Sequence, residues 1–185
     1  MDVRRIVTGH TPEGKSVFVS DEMVPPIELA LLPGMEFHRL WGADETVQLP
    51  DDGSAPSTPA YFPPVGGFRV GLFTVPPSTT TADLSSIDVD AALEAMERAL
   101  PGMATHMEAD DPGMHTTATV DFAFVVSGRC LLELDDGEIR EIGPGDTVVQ
   151  NGTRHRWSNP HDEPCRLVVV LVGADHKGVH ATDGQ

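Results

Sequence analysis

Apolar and polar residues alternate in short stretches along most of this chain, and glycine, proline and aspartate divide the stretches. Arg4-Arg5-Ile6-Val7 and Ser16-Val17-Phe18-Val19 flank the turn-rich segment TGHTPEGK, which predicts a β-hairpin over residues 1–20. Residues 35–41 (MEFHRLW) and 67–75 (GFRVGLFTV) predict two more strands. The Pro-, Ser- and Gly-rich stretch between them, residues 50–66, reads as a loop, either a lid or a surface excursion. Over residues 88–100 the period changes: Ala92, Leu93, Met96, Ala99 and Leu100 recur at helical spacing. Asp88 or Ser86 stands where an N-cap is needed, Glu94 and Arg98 form an i,i+4 pair, and Pro101-Gly102 stops the helix. From residue 118 short strands return, each closed by a turn signal. VDFAFVV ends at Ser127-Gly128, CLLEL at Asp135-Asp136-Gly137, EIREI at Gly143-Pro144-Gly145-Asp146 and TVVQ at Asn151-Gly152, before RHRWSN and CRLVVVLV. The order predicts an all-β antiparallel meander or jelly roll with an N-terminal β extension and one short helix, not a βαβ protein.

A chain of 185 residues suits one structural domain with extensions. Three parts are expected within it: residues 1–100, whose strands, loop and helix pack on or complete the barrel; residues 101–173, the barrel core; and a loose polar tail over 174–185. Aromatics make up only 5%, so the core has to be built from Val, Leu, Ile and Met. The net charge of -17 repels phosphate backbones and anionic lipid, which argues against nucleic-acid and membrane partners and is silent about the substrate. The N-terminus lacks an apolar run of signal-peptide length, and CRLVVVLVG is only strand-sized. Cys130 and Cys165 form no CxxC and sit in apolar strand patterns; buried free thiols and a cytoplasmic location are expected.

Two constellations carry candidate chemistry. His115, Thr117, Thr119 and Asp121 are all odd-numbered, so in an extended strand they share one face, with Ala118, Val120 and Phe122 on the other. Such a row faces water or lines a polar interior. His155, Trp157 and Asn159 likewise share a face, opposite Arg154, Arg156 and Ser158, which points His155 inward. Arg69, in an apolar strand, is either a partner for a substrate carboxylate or a surface residue. His38 is expected to face solvent, and His10, His161, His176 and His180 read as surface residues. There is no GxSxG, P-loop or GxGxxG opening a helix.

The spacing of these residues resembles the cupin family. His115, Thr117, Asp121 and Gly128 fall at the positions of its first motif, and Gly152, His155 and Asn159 at those of its second, preceded by the turn Pro144-Gly145-Asp146. More closely, PGMHTTATVDFAFVVSG and PGDTVVQNGTRHRWSN resemble small single-domain bacterial and fungal cupins, over residues 101–173. The resemblance implies a double-stranded β-helix (jelly-roll) barrel and a homodimer in which N-terminal strands pack on or swap with the partner. It also implies a metal set of three histidines and a carboxylate, from which this chain departs: Thr117 stands for the second histidine and Asp121 for glutamate. His115, Asp121 and His155 remain as ligands for a divalent ion (Fe, Zn, Mn or Ni), with His106 a candidate third nitrogen if residues 103–109 form a strand beside the site. The expected function is a metal-dependent enzyme acting on a small organic molecule by dioxygenase, isomerase or lyase chemistry, with His155 and Asp121 catalytic and Thr117, Thr119, Trp157 and Arg69 lining the substrate pocket. Two alternatives stand beside it. One is a metal-free acid–base enzyme of cyclase, dehydratase or epimerase type in secondary metabolism, with His155 as base. The other is a non-catalytic ligand-binding barrel in which Trp157, Phe122 and Phe124 serve packing.

Overall fold

The computed structural model describes residues 2–80, 87–108, 110–111 and 113–178. Its strands are β1 (Val3–His10), β2 (Ser16–Val24), β3 (Ile27–Leu29), β4 (Leu32–Ala43), β5 (Phe68–Val75), β6 (Thr119–Ser127), β7 (Cys130–Glu133), β8 (Ile139–Ile142), β9 (Thr147–Asn151), β10 (Arg156–Ser158) and β11 (Cys165–Gly173). Two helices, α1 (Val89–Ala99) and α2 (Met103–His106), lie between β5 and β6.

Strand β11 organises the larger sheet, whose order is β3-β4-β5-β11-β6-β9. Its alternation is strict: Cys165, Leu167, Val169 and Leu171 are buried, while Arg166, Val168, Val170 and Val172 are only partly so. Antiparallel pairing sets Leu167 opposite Val125, Val169 opposite Ala123 and Leu171 opposite Asp121, so the inward rows of adjacent strands coincide. A second sheet, β10-β7-β8, packs on this one. Cys130 and Ile142 of the smaller sheet join Val125, Cys165 and Leu167 of the larger in one apolar cluster, giving the two-layer jelly roll that the alternation predicts. The two cysteines are free and fully buried, as expected. At the end of β6, Gly128 is required: its φ is +72°, and a Cβ there would lie 2.3 Å from the Pro164 carbonyl oxygen.

The N-terminal half completes this barrel, because β5 pairs with β11 along its whole length. Only the β1–β2 hairpin forms a sheet of its own. It lies over β4, where Arg5 donates to the Leu40 carbonyl at 2.9 Å and its guanidinium sits 5.7 Å from the Trp41 ring centre. This cover corrects the expectation for His38. The residue does share the outer face of β4, but it is 2% exposed beneath the hairpin, with Nδ1–H donated to the Val24 carbonyl.

Helix α1 is capped by Asp88, which accepts from the Ala91 N–H at 3.1 Å; Ser86 lies outside the described residues. Met96 and Leu100 pack with Met103, Leu29 and Phe37 in a second apolar cluster at the open end of the barrel. Residues 103–106 are helical, so the strand considered for 103–109 does not form. The Pro-rich segment, considered above as a lid or a surface excursion, is tied to the barrel at its C-terminal end. Arg39 and Arg69 both donate to the Ala60 carbonyl, and the Tyr61 N–H donates to the Pro101 carbonyl at 2.9 Å, which seats Tyr61 and Phe62 inside. Phe122 and Phe124, considered above for packing, lie on the face opposite the polar row and are 37% and 45% exposed. The start of the tail is tied down as well: Ala174 N–H donates to the Ala118 carbonyl, and half-buried His176 donates from Nε2 to the Gly152 carbonyl at 3.0 Å, so His176 is not a free surface residue. Residues 179–185, with His180, lie outside the described residues. Among the described residues no helix is long and apolar enough to cross a membrane.

Candidate functional site: a histidine pair and two orphan oxygens in the barrel

His115 and His155 are brought together by the backbone. They face each other in an isolated antiparallel bridge and exchange both hydrogen bonds, N–H to carbonyl, at 3.0 Å each way. Directly opposed residues project to the same side of a sheet, and the two rings lie 4.1 Å apart, centre to centre. Each Nδ1 meets a backbone carbonyl, that of Gly113 at 3.1 Å for His115 and that of Thr153 at 2.8 Å for His155. A carbonyl only accepts, so each Nδ1 carries the hydrogen and each neutral ring keeps a bare lone pair on Nε2. Burial depresses the pKa of both rings, and the neighbouring His115 adds to the effect on His155, which falls to about 3. Both imidazoles are therefore neutral acceptors near neutral pH.

The alternation around Asp121 places it as expected. Thr117, Thr119 and Asp121 all point inward, the two threonines 2% and 1% exposed. Their hydroxyls are 2.8 Å apart. Burial pushes the Asp121 carboxyl up to about 6. Its Oδ1 is buried without a partner. Opposite Asp121 in the β6–β9 register stands Gln150, which is 4% exposed. The amide of Gln150 donates to Thr153, at 3.0 Å to the hydroxyl and 3.3 Å to the carbonyl. Because the carbonyl must accept, the NH₂ faces Thr153, and Oε1 is left buried and unpaired.

These groups line a cavity of about 100 Å³. The chain has only two Trp, one Tyr and seven Phe, yet Phe37, Tyr61, Phe62, Phe73 and Trp157 all form its wall. Met35, Met103 and Met107 add adaptable apolar surface. Burial raises the Tyr61 pKa, and Asp121 adds to that, so the phenol stays protonated. Trp157 stands edge-on to His155, 6.0 Å between ring centres. Outside the cavity, Arg154 binds Glu108, Asp111 and Asp135, while Arg156 binds Asp111 and Glu133. This network pins the segment before His115 against β10 and so fixes the histidine pair.

Two expected pocket residues do other work. Thr119 lies behind the wall, its hydroxyl paired with that of Thr117. Arg69 is outside this cavity, held by Asp44 at 2.5 Å and by the carbonyls of Ala43, Ala60 and Phe68. It is a buried staple for the loop that carries Tyr61. Asn159 is also a staple, donating to the Val75 and Glu163 carbonyls at 3.0 and 2.8 Å and accepting from the His161 N–H. Tyr61, Phe62, Met103, Met107 and Gln150 were not singled out from the sequence.

A metal centre on His115, Asp121 and His155 requires the three donors to converge. The two Nε2 lone pairs, with their Nδ1–H groups tied to carbonyls, suit a metal. Among the described residues, however, no group of three or more His, Cys, Asp or Glu side chains is gathered so as to hold an ion. His106 lies on α2 and not on a strand beside the site, gives its Nδ1–H to the Gly102 carbonyl at 2.7 Å and packs its ring on Phe62, and it is not gathered with the other two histidines into a group of three ligands. The donor set as folded does not fit a three-ligand centre.

Comparison with known proteins agrees with the architecture. The sequence profile of the Cupin domain family (Cupin_2) matches residues 104–171. The cupin-domain-containing oxidoreductase srdB of Neurospora crassa is 30% identical over 177 residues, covering 92% of this chain and 74% of that protein. The oryzines biosynthesis cluster protein J of Aspergillus oryzae is 48% identical over 50 residues; the match takes in 27% of this chain and spans only 28% of that protein's length. Among solved structures, a Cupin 2 conserved barrel domain protein from Salinispora arenicola is 19% identical, with 80% of this chain and 82% of that one covered at a TM-score of 0.39. With the motif residues on the inner face of a jelly roll and a 30% identical relative that matches 92% of this chain, the chain belongs to the cupin-domain family.

Proposed function

We propose that this protein is an enzyme that moves protons on a small, ring-containing organic molecule bound inside the barrel, using its own side chains as acid and base. The feature that supports this reading is a carboxyl group pushed up to about 6 in an aromatic-walled cavity whose lining also holds a phenol kept protonated and two neutral imidazoles with free Nε2 lone pairs. Asp121, ionised at neutral pH, takes a proton from a C–H or O–H of the bound molecule. The Tyr61 hydroxyl donates to the oxygen on which negative charge develops. His115 and His155 accept hydrogen bonds from substrate hydroxyls and orient the ring. The Asp121 proton is then returned at a neighbouring atom, so the net change is an isomerisation, a cyclisation or, with loss of a hydroxyl as water, a dehydration. The apolar wall keeps bulk water from competing for that proton.

The test is deuterium incorporation. Protein dialysed against a chelator is incubated in D₂O with a panel of small hydroxylated ring compounds carrying an enolisable carbonyl, and carbon-bound deuterium is read by mass spectrometry. Exchange above background that falls about 100-fold in Asp121→Asn is expected. Background exchange across the panel, or a rate abolished by the chelator and restored by a divalent ion, overturns the reading. A second reading, oxidation or reduction of the same kind of molecule, is favoured by the name of the Neurospora crassa relative. It predicts a product that differs from the substrate by two electrons.

A further inference from the structure

Three stretches of chain meet behind His155. The turn between β9 and β10, residues 152–155, carries His155 into the cavity wall. Gly152 in that turn has a φ of +61°, and a Cβ there would lie 2.7 Å from Cδ2 of His176 and 3.1 Å from the Thr117 carbonyl oxygen. The turn is thus pressed between the segment that leads into β6 and the chain that follows β11. That following chain is anchored where it begins, the Ala174 N–H donating to the Ala118 carbonyl at 2.9 Å. Half-buried His176 then lies directly against Gly152.

The neighbours of His176 decide where its hydrogen sits. The Gly178 N–H donates to Nδ1 at 3.1 Å, so Nε2 bears the hydrogen and gives it to the Gly152 carbonyl at 3.0 Å. This is the opposite tautomer to that of His155. Thr153 is thereby held at both of its peptide groups. The peptide before it is held by His176 through the Gly152 carbonyl. The peptide after it is held by Gln150, whose amide reaches the Thr153 carbonyl at 3.3 Å and the Thr153 hydroxyl at 3.0 Å. The same Thr153 carbonyl accepts the His155 Nδ1–H at 2.8 Å, and its two lone pairs serve both donors. The aim of this carbonyl fixes the hydrogen of His155 on Nδ1. If the carbonyl swings away, the Nε2–H tautomer becomes populated and the acceptor edge of the ring becomes a donor.

We infer that His176 is a positioning residue: bracing the turn together with Gln150, it holds His155 in the Nδ1–H tautomer and so keeps Nε2 an acceptor for the bound molecule. His176 acts from outside the cavity, through the backbone of Gly152 and Thr153. Its role deepens the proposed function and rests on that reading, in which His155 accepts from a substrate hydroxyl. His115 supplies an internal comparison, because its Nδ1–H goes to the Gly113 carbonyl, on a segment that His176 does not brace.

The test reads hydrogen positions and needs no substrate. Protein with ¹⁵N-labelled histidine rings is studied by long-range ¹H–¹⁵N correlation, which distinguishes the two tautomers of each ring. In the wild type, His115 and His155 are expected in the Nδ1–H form and His176 in the Nε2–H form. In His176→Ala the ratio of Nδ1–H to Nε2–H at His155 is expected to fall about three- to tenfold, as for the loss of one hydrogen bond, with His115 unchanged. His176→Gln, whose amide can donate from near the place of Nε2, is expected to restore the ratio. Three results each overturn the inference: a wild-type His176 with its hydrogen on Nδ1, a His155 ratio untouched by His176→Ala, or equal changes at His115 and His155. The first needs no variant and stays decisive if His176→Ala does not fold. Unchanged tautomers beside normal deuterium exchange would overturn the positioning role alone, whereas the expected tautomers beside background exchange would overturn the chemistry alone.

Discussion

Strand β6 runs through two chemically different ends of one barrel. At one end its inward residues are Ala123 and Val125, packed with Leu167, Cys165, Cys130 and Ile142 into a dry core. At the other they are Thr119 and Asp121, beside a cavity bounded by aromatic rings and the histidine pair. The same alternation and the same neighbour, β11, serve both ends. What differs is the opposing layer. The dry end is covered by the short strands β7 and β8, whose Cys130 and Ile142 are nearly fully buried. The cavity end is covered by a loop, by α2 and by the histidine bridge, which meet the sheet less closely. The comparison teaches that the dry end supplies stability, while the cavity end spends some of it on a buried carboxylate and unpaired oxygens.

The largest expected effect falls on activity at the cavity end. Asp121→Asn should lower turnover by a factor of about 10²–10⁴ in the deuterium-exchange assay while raising the melting temperature at pH 8, because it removes a buried charge and keeps the shape. Next is the converse at the dry end. Leu167→Ala, at a position with 0% exposure, should cost roughly 2–5 kcal/mol in urea denaturation and leave the rate per folded molecule unchanged. If Asp121→Asn proved as destabilising as Leu167→Ala, the division between the ends would fail.

The pH dependence of stability sharpens the same contrast. Asp121 binds its proton more tightly folded (about 6) than at the ordinary value of 3.8, so its share of stability is complete below pH 4 and is lost as pH rises through 6. His155 acts in the opposite sense: depressed from 6.5 to about 3, its share is present above pH 6.5 and lost as pH falls toward 3. In wild type the two slopes oppose each other between pH 4 and 6. In Asp121→Asn stability should rise with pH across that window, which equilibrium denaturation at several pH values will show. The smallest effect belongs to the outer face of β6: Phe124→Ser, at 45% exposure, should change folding stability by about 0.5 kcal/mol or less.

The inward rows were legible in the sequence because a strand's period of two needs no knowledge of its partners. That is why His115, Thr117, Asp121, His155 and Trp157 come out on the cavity wall. Gln150 was legible in principle, since it shares a face with Val148 in TVVQ, but its meaning depends on the register that sets it against Asp121. Tyr61 and Phe62 come from a Pro-rich loop with no period. Their only signal is an aromatic pair in a stretch of small and polar residues. His38 shows the other limit. Alternation gave its face correctly, but the cover over that face is a hairpin whose docking no local pattern encodes. A metal set was expected from the family resemblance, and a shared motif does not report whether three side chains converge.

The pairing of β5 with β11 has a consequence for how the chain folds. Val75 finds its partner in Cys165, and Phe68 in Val172, so the centre of the large sheet cannot close until β11 is available. Contacts between positions so far apart in sequence impose a large loop-closure entropy before they return any burial, which slows folding. During synthesis β5 therefore presents an unpaired edge while the intervening residues are still being made, held on its other side by β4 alone. Any such intermediate would be most vulnerable to aggregation along Phe68–Val75, the same segment that later forms the middle of the barrel wall.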